Sequence, residues 1–151
     1  MLVLWSALAV PALGWAGLGQ PQSAVEGDSV RLHARHAVAR SAAYDVHELT
    51  LADGSRLRQY VGGSGHIFAV RWNTHNKPDL GSLLGSSFAS YSGAARQAAQ
   101  RAGVQRQFRH ESTDLVVQSA GHLNSYQGFA YRPSMLPKGV SPSALGLGSG
   151  A

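Results

Sequence analysis

Histidines are the residues of this sequence whose type and spacing first suggest chemistry. There are seven, and His33 and His36 stand three positions apart. On a helix this spacing places both imidazoles on one side, where they could share a zinc ion if a third ligand came from elsewhere. Arg31 and Arg35 flank the pair, however, and their positive charge repels a cation. The sequence therefore favours a solvated histidine pair, and it predicts neither a metal site nor a cofactor.

Two histidines are followed directly by a glutamate, at His47-Glu48 and His110-Glu111, and each pair has the composition of an acid–base couple. Both pairs fall in predicted strands, where adjacent side chains point to opposite faces of the sheet. Neither pair can then act as a dyad by itself. A cross-strand contact between His47 and a carboxylate stays open, because the sequence does not show which strands are neighbours.

The other common nucleophiles give no motif. The chain has no cysteine, which removes thiol nucleophiles, disulfides and thiolate metal sites. No serine stands in a Gly-x-Ser-x-Gly turn between a strand and a helix, and the serines of "GSLLGSS" fall in a predicted helix. A Ser-His-Asp triad assembled from distant segments stays open. The sequence predicts no catalytic group and favours a protein that is not an enzyme.

A surface of aromatic residues and arginine is the remaining candidate site. Aromatic faces near a guanidinium suit sugars, peptides or single-stranded nucleic acid. The predicted binding residues are Tyr60, His66, Arg71, Trp72, Tyr126 and Tyr131. In the competing interpretation, Phe68, Val70 and Trp72 are only the core face beneath a helix. Arg71 and Tyr60 are then the exposed members of the set.

Side-chain alternation between residues 44 and 72 predicts the sheet that would position these groups. The pattern indicates a three-strand antiparallel meander, with strands at 44–51, 56–61 and 66–72. Asp53-Gly54 joins the first two strands and is typical of a tight hairpin turn, since its central residues need positive φ.

The glycine-rich stretch "GGSG" at 62–65 joins the second and third strands. Because it opens no helix, we interpret it as a turn and not as a phosphate-binding loop. Along the third strand, alternation places His66, Phe68, Val70 and Trp72 on one face, and Ile67, Ala69 and Arg71 on the other.

Apolar residues repeating at three and four positions predict the main helix over residues 79–91. Its face is formed by Leu80, Leu83, Leu84, Phe88 and Tyr91, with Asp79 as the N-cap. Gly81 and Gly85 each cost up to about 1 kcal/mol relative to alanine, so we expect this helix to depend on packing against the sheet. A shorter helix is predicted over 28–39, and further strands over 104–110 and from residues 114 and 125.

These elements predict an α+β fold. We expect an antiparallel sheet of about five strands, formed by the meander, the helix and then two or three further strands, with one main helix packed on a face and a short N-terminal helix. Residues 17–138 would be a single domain, which is consistent with the length of 151 residues. The Gly/Ser-rich residues 139–151 are predicted to be a disordered tail.

The beginning of the chain predicts export. Residues 1–16 carry no charge, are apolar from Leu2 to Leu13, and have small residues at Gly14 and Ala16, the pattern of a signal peptide cut near Ala16. The stretch is shorter than the about 20 apolar residues of a membrane span. A positive n-region is missing, and the competing interpretation is a buried N-terminal helix.

Four blocks of the chain resemble a known family: "YDVHELTLADGSRLRQYV", "GHIFAVRW", "PDLGSLLGSSFASY" and "DLVVQSAGHLNSYQGFAYRPSMLP". In this order, over nearly all of residues 24–140, they are similar to the exported proteobacterial family Domain of Unknown Function 2844. The resemblance implies a single exported domain. It brings no activity, cofactor or catalytic residue that could be transferred to this chain.

Charge and export together suggest the kind of partner. Lys and Arg exceed Asp and Glu by five, and a basic domain can bind nucleic acid, anionic lipid or acidic glycan. The arginines are scattered, and export disfavours nucleic acid. We therefore expect a non-catalytic accessory or binding module of the bacterial cell envelope, periplasmic or secreted and without a membrane span. Its partner would be another envelope protein, joined along a sheet edge, or an anionic glycan, with the oligomeric state left open.

Two alternatives stay open. An envelope glycan or peptide hydrolase would require a pocket in which a histidine and a carboxylate converge. A secreted inhibitor or structural protein would present a rigid protruding loop, for which "GGSG" is the candidate.

Overall fold

The computed structural model describes residues 15–148, in which seven strands form one antiparallel sheet. The strands are β1 Arg35–Arg40, β2 Tyr44–Thr50, β3 Arg56–Gly62, β4 Ile67–Thr74, β5 Gln107–Ser112, β6 Leu115–His122 and β7 Ser125–Tyr131. The helices are α1 Gln22–Arg31, α2 Leu80–Leu84 and α3 Phe88–Ala102, with 3₁₀ turns at Gly85–Ser87, Pro133–Met135 and Pro142–Leu145. None of these helices is long and apolar enough to cross a membrane.

Two meanders meet at the centre of the sheet, whose strand order is β1-β2-β3-β4-β7-β6-β5. Strands β1–β4 form one meander and β5–β7 the other, and β4 pairs with β7. At this junction Trp72 lies opposite Gly128 and Val70 lies opposite Ala130. A Cβ atom on Gly128 would come within 2.3 Å of both the Trp72 ring and the Gln118 carbonyl oxygen. The small residues of β7 therefore make room for the large residues of β4.

The two faces of the sheet are covered differently. One face, here called the helix face, packs against the helices and buries Leu49, Trp72 and Val117. The opposite face, here called the open face, buries Tyr60 and Phe68 in a second cluster with the C-terminal residues. The remainder of the open face carries polar side chains.

The expectation of about five strands is wrong, because the sheet has seven. The strands predicted between residues 44 and 72 are present as β2, β3 and β4, and the later ones as β5, β6 and β7. The unforeseen strand is β1, in the region where a helix over 28–39 was predicted. Helix α1 instead ends at Arg31, His33 adopts a φ of 49°, and residues 35–40 pair with β2. Hydrogen bonding to the free edge of β2 outweighs a weak helical pattern.

A β-bulge changes the predicted faces of the third strand of the meander. Tyr60 pairs with Ala69 but Val61 pairs with Ile67, so Phe68 is an extra residue in β4. Phe68 consequently joins Ala69 in the open-face cluster, and Ile67 joins the helix-face cluster. The predicted placement of Phe68 and Ile67 is wrong, because a bulge resets the two-residue alternation.

The predicted helix over 79–91 is interrupted. Asp79 is the N-cap of α2, as predicted, and its carboxylate accepts the backbone N–H of Ser82 at 3.1 Å. Gly85, with a φ of 54°, ends α2 in a conformation that glycine adopts easily. Helix α3 begins at Phe88, which is half exposed, and continues through Gly93 to Ala102.

An N-terminal segment, residues 15–20, packs on the helix face before α1 begins. The Leu18 N–H donates to the Leu83 carbonyl at 2.9 Å, and a Cβ atom on Gly17 would come within 2.0 Å of the Ser82 carbonyl oxygen. Ala16, at the predicted end of the signal peptide, is buried, and its N–H donates to the Asp28 carboxylate. Residues 1–14 of the predicted signal peptide lie outside the described residues.

The C-terminal segment is folded over the open face as far as residue 148, so the prediction of a disordered tail over 139–151 is wrong for these residues. Leu145 and Leu147 are buried in the open-face cluster. The Tyr60 hydroxyl donates to the Leu145 carbonyl at 3.3 Å. Two leucines among glycines and serines are enough to hold the segment, because the open face offers them an apolar surface. Residues 149–151 lie outside the described residues.

The packing of the tail predicts a measurable contribution to stability. Leu147→Ala should lower the free energy of unfolding by about 2–5 kcal/mol, as for other buried leucines. Leu123→Ala is the matched control, since Leu123 is 83% exposed, and it should change stability by less than about 0.5 kcal/mol. Urea denaturation measures both. Equal effects of the two substitutions would contradict the packing of the tail.

The junction of the two meanders predicts a second difference. Gly128→Ala should destabilise the protein by about 1–3 kcal/mol, because its methyl group has no space beside Trp72. Gly63→Ala, in a turn where an added Cβ meets nothing within 4 Å, is the control. Thermal unfolding followed by circular dichroism compares them. A Gly128→Ala protein as stable as the control would show that β7 can move away from β4.

Candidate functional site

Arginine side chains stand side by side on the open face of the central strands. Arg58 on β3 lies directly opposite Arg71 on β4, and Arg56 lies opposite Asn73. All four point to the same face, since the two residues on each strand are two positions apart. They line a cavity of about 150 Å³.

Amide side chains continue this surface across the sheet. Asn73 pairs with Gln127 of β7, and Gln127 pairs with Ala120 of β6. Gln107, Gln118 and Gln127 line a cavity of about 340 Å³ that shares Arg71 and Asn73 with the first. We call the two cavities together the arginine groove, lined by Arg56, Arg58, Arg71, Asn73, Gln107, Gln118 and Gln127.

The charges of the groove are only partly balanced. The Arg58 Nε donates to the Glu48 carboxylate at 2.5 Å, and this hydrogen bond raises the pKa of Arg58. Arg109, at the border of the groove, pairs with Glu111. None of the ion pairs among residues 15–148 includes Arg56 or Arg71. The groove therefore carries two positive charges that no carboxylate of residues 15–148 neutralises.

The folded tail forms one wall of the groove. The Arg71 Nη1 donates to the Gly146 carbonyl at 3.3 Å, and Gly146 and Gly148 line the larger cavity. Gly146 has a φ of 68°, and a Cβ atom there would come within 2.8 Å of the Arg71 guanidinium. The positive φ favours glycine at this point, whereas the guanidinium ends a flexible side chain and could move away from a Cβ atom.

A family model described as "Protein of unknown function (DUF2844)" matches residues 14–145. The chain belongs to this family. The resemblance found in the sequence blocks is thereby confirmed. No curated protein and no solved structure matches the chain.

The aromatic residues predicted to bind do not form one exposed surface in this DUF2844 member. Arg71 is exposed, as predicted, and lies in the arginine groove. Tyr60 is only 4% exposed, so its predicted exposure is wrong. Burial raises the pKa of Tyr60, which keeps its hydroxyl a donor to the tail. Tyr131 is buried in the same open-face cluster.

The other predicted binding residues lie elsewhere. Trp72 is buried on the helix face with Val70, as the competing core interpretation predicted. Tyr126 is half-buried on that same face, beside Trp72 in a cavity under α3. His66 is at the edge of the "GGSG" turn, where its Nδ1 donates to the Ser64 carbonyl at 3.0 Å. The six residues therefore belong to four separate places: the arginine groove, the open-face cluster, the helix face and the "GGSG" turn.

Two histidines that looked independent in the sequence are in contact. His36 of β1 and His47 of β2 share a hydrogen bond of 2.9 Å between Nε2 and Nδ1, and their rings stack. His47 is buried opposite Gln59, and the His47 Nε2 and the Gln59 amide have no hydrogen-bond partner among the described residues. His33 lies in the turn before β1, so the predicted pairing of His33 with His36 on one helix side is wrong.

The carboxylates are engaged in structural contacts. Each of the eight accepts a hydrogen bond from a group other than histidine: Glu26 from Gln22, Asp28 from Arg31, Asp45 from Arg40, Glu48 from Arg58, Asp53 from Ser55, Asp79 from Ser82, Glu111 from Arg109 and Asp114 from Arg132. Bonds from Ser134 and the Arg132 charge lower the pKa of Asp114. Within residues 15–148, no histidine forms an ion pair with a carboxylate, and no cluster of three such residues could hold a metal ion.

One serine–histidine pair does form between distant segments. The Ser90 hydroxyl of α3 lies 3.0 Å from the His110 Nε2 of β5. Glu111, the neighbour of His110 in sequence, points to the other face and pairs with Arg109. The pair therefore has the first two members of a triad and lacks the carboxylate that orients the histidine.

Most residues of the arginine groove escaped the sequence reasoning. Arg56, Asn73 and the three glutamines carry no motif, and they stand far apart in the chain. Their signal was the alternation of polar residues with buried ones, as in Arg56-Leu57-Arg58-Gln59. This alternation marks a solvent-facing strand face but does not show which strands lie side by side.

The buried histidine predicts a pH dependence of stability. Burial, then the neighbouring His36, lowers the pKa of His47 in the folded state. The unfolded chain therefore takes up a proton near pH 6.5 that the folded chain refuses, and stability should fall as the pH decreases below about 6.5. One such proton gives a slope of at most about 1.4 kcal/mol per pH unit.

Urea denaturation between pH 5 and pH 8, a range of about three units around the histidine pKa, measures this slope. His47→Gln should flatten it, whereas His122→Gln, at an exposed position, should leave it unchanged. A slope unaffected by His47→Gln would assign the pH dependence to another group.

Proposed function

We propose that this protein is an exported, non-catalytic binding module of the bacterial cell envelope whose arginine groove binds an anionic glycan. One observation carries the proposal. Arg56 and Arg71 stand on adjacent strands of the sheet, in a groove lined by amide groups, and no carboxylate of the described residues pairs with them.

The chemistry of the groove matches an acidic sugar. A guanidinium presents its N–H donors in a planar fork that fits both oxygens of a carboxylate, and such charge-assisted bonds are the stronger ones. Sugar hydroxyls donate and accept hydrogen bonds, as do the amides of Asn73, Gln118 and Gln127. A uronic acid offers both kinds of group on one ring.

The shape of the groove favours an extended ligand. Its two cavities share Arg71 and Asn73 as lining residues, and together their lining residues come from several strands of the sheet. Strand pairing fixes the backbone positions of these residues, so binding has to order only their side chains. Several consecutive sugar units could contact such a row at once.

Export is supported by the uncharged, apolar residues 1–16 and by their small residues at Gly14 and Ala16. It is the step that brings the protein to envelope glycans. The hydrolase alternative is weakened by the engagement of the carboxylates described above. Neither the groove nor the cavities beneath α3 and beside β1–β3 are lined by both a histidine and a carboxylate.

Titration calorimetry with a short oligogalacturonate tests the proposal. Binding should weaken at high salt, because it depends on charge. Arg71→Gln and Arg56→Gln should each weaken it by about tenfold or more, the loss expected for one charge-assisted hydrogen bond. Arg56→Gln is the cleaner variant, since Arg56 does not contact the tail, whereas Arg71 does.

Arg96→Gln is the matched control, because Arg96 is exposed on α3 and away from the groove. It should bind as the unchanged protein does. The methyl-esterified oligosaccharide, which lacks the charge, should not bind measurably. Recognition of the carboxylates by these arginines would be refuted if the esterified sugar bound as tightly as the charged one. It would also be refuted if both groove variants bound the charged sugar as tightly as the unchanged protein does.

A further inference from the structure

Another cavity lies on the helix face of the sheet, opposite the arginine groove and beneath the C-terminal half of α3. It measures about 390 Å³ and is bounded by α3 above and by β5, β6 and β7 below. Pockets that hold small ligands measure about 300–1,000 Å³, so this cavity is large enough for one. It lies on the helix face, whereas the arginine groove lies on the open face, and only Trp72 and Ala120 are among the lining residues of both.

The cavity exists because one large residue of α3 is followed by small ones. Tyr91 is the one buried residue of α3, and its ring packs against Phe108 with 5.6 Å between the centroids. Its hydroxyl forms a 2.8 Å hydrogen bond with the Ser119 hydroxyl. Beyond it, the positions that face the sheet at helical spacing are Ala95, Ala98 and Ala99. Tyr91 holds the helix away from the sheet, and the alanines leave the space unfilled.

The floor of the cavity is aromatic. Trp72, Phe108 and Tyr126 line it together with the helix alanines. Tyr126 is held over Gly121, where a Cβ atom would come within 2.8 Å of its ring. An apolar molecule in this space would gain contacts that the protein itself does not make.

The mouth of the cavity is positively charged. Lys77 and Arg106 line it, both are exposed, and no carboxylate is among the lining residues. Neither cation takes part in the ion pairs of residues 15–148. An apolar interior with cations at the mouth is complementary to a molecule with an apolar body and an anionic head.

We propose that this cavity binds a single-chain amphiphile with an anionic head group, of which a fatty acid is the simplest. The chain lies between the α3 alanines and the aromatic floor, and the carboxylate lies at Lys77 and Arg106. This site is independent of the proposed glycan groove, so either can fail without the other.

Calorimetric titration of the full chain with decanoate, below its micelle concentration, tests the site. We expect saturable binding by one molecule per chain. Ala98→Leu fills the cavity and should weaken binding by about tenfold or more, while its thermal midpoint stays at or above that of the unchanged protein. Ala89→Leu makes the same change at an exposed position of α3 and should bind normally.

The head group is tested separately. Arg106→Gln should weaken decanoate binding several-fold. Arg96→Gln removes a charge from α3 outside the lining of the cavity and should leave binding unchanged. Decan-1-ol should bind more weakly than decanoate. Binding that is absent, or unaffected by both Ala98→Leu and Arg106→Gln, would overturn the assignment of the cavity. Decan-1-ol binding as tightly as decanoate would overturn the anionic head group.

Discussion

The contact between the Trp72 ring and the bare backbone of Gly128 is the constraint on which the rest of the structure depends. It allows β4 to pair with β7 and so joins the two meanders into one sheet. The same pairing has consequences on both faces. On the open face it places Asn73 beside Gln127, which completes the arginine groove. On the helix face it makes Trp72 and Tyr126 the floor of the cavity under α3.

The C-terminal tail contributes both to the stability of the fold and to the wall of the arginine groove. Leu145 and Leu147 close the apolar part of the open face, and the backbone between them accepts a hydrogen bond from Arg71. The segment ends its described course at the groove, where Gly148 is still part of the wall. An apolar cluster and a charged groove thus share one sheet face, and the tail lies along the border between them. The position of the tail therefore decides how much of Arg71 a ligand can reach.

The buried polar side chains near β1 are only partly hydrogen-bonded. His47 and Gln59 occupy core positions with incomplete hydrogen bonding, although such groups are usually paired when buried. His36 supplies one bond to His47, and it can do so because β1 pairs with β2. The histidines were thus drawn together by strand pairing. The prediction of a helix over 28–39 instead separated His36 from β2 and placed it beside His33.

From the sequence alone, alternation and turn residues determined β2, β3 and β4, and the Asp79 cap marked the start of α2. The sequence blocks also determined the family. Tertiary structure alone decided that residues 35–40 extend the sheet, that Phe68 forms a bulge, that the tail packs, and that scattered arginines and glutamines form a groove. The physical reason is the range of the interactions. Periodicity and turns act between residues near each other in the chain, whereas strand neighbours are selected by packing between distant segments, as at Trp72 and Gly128.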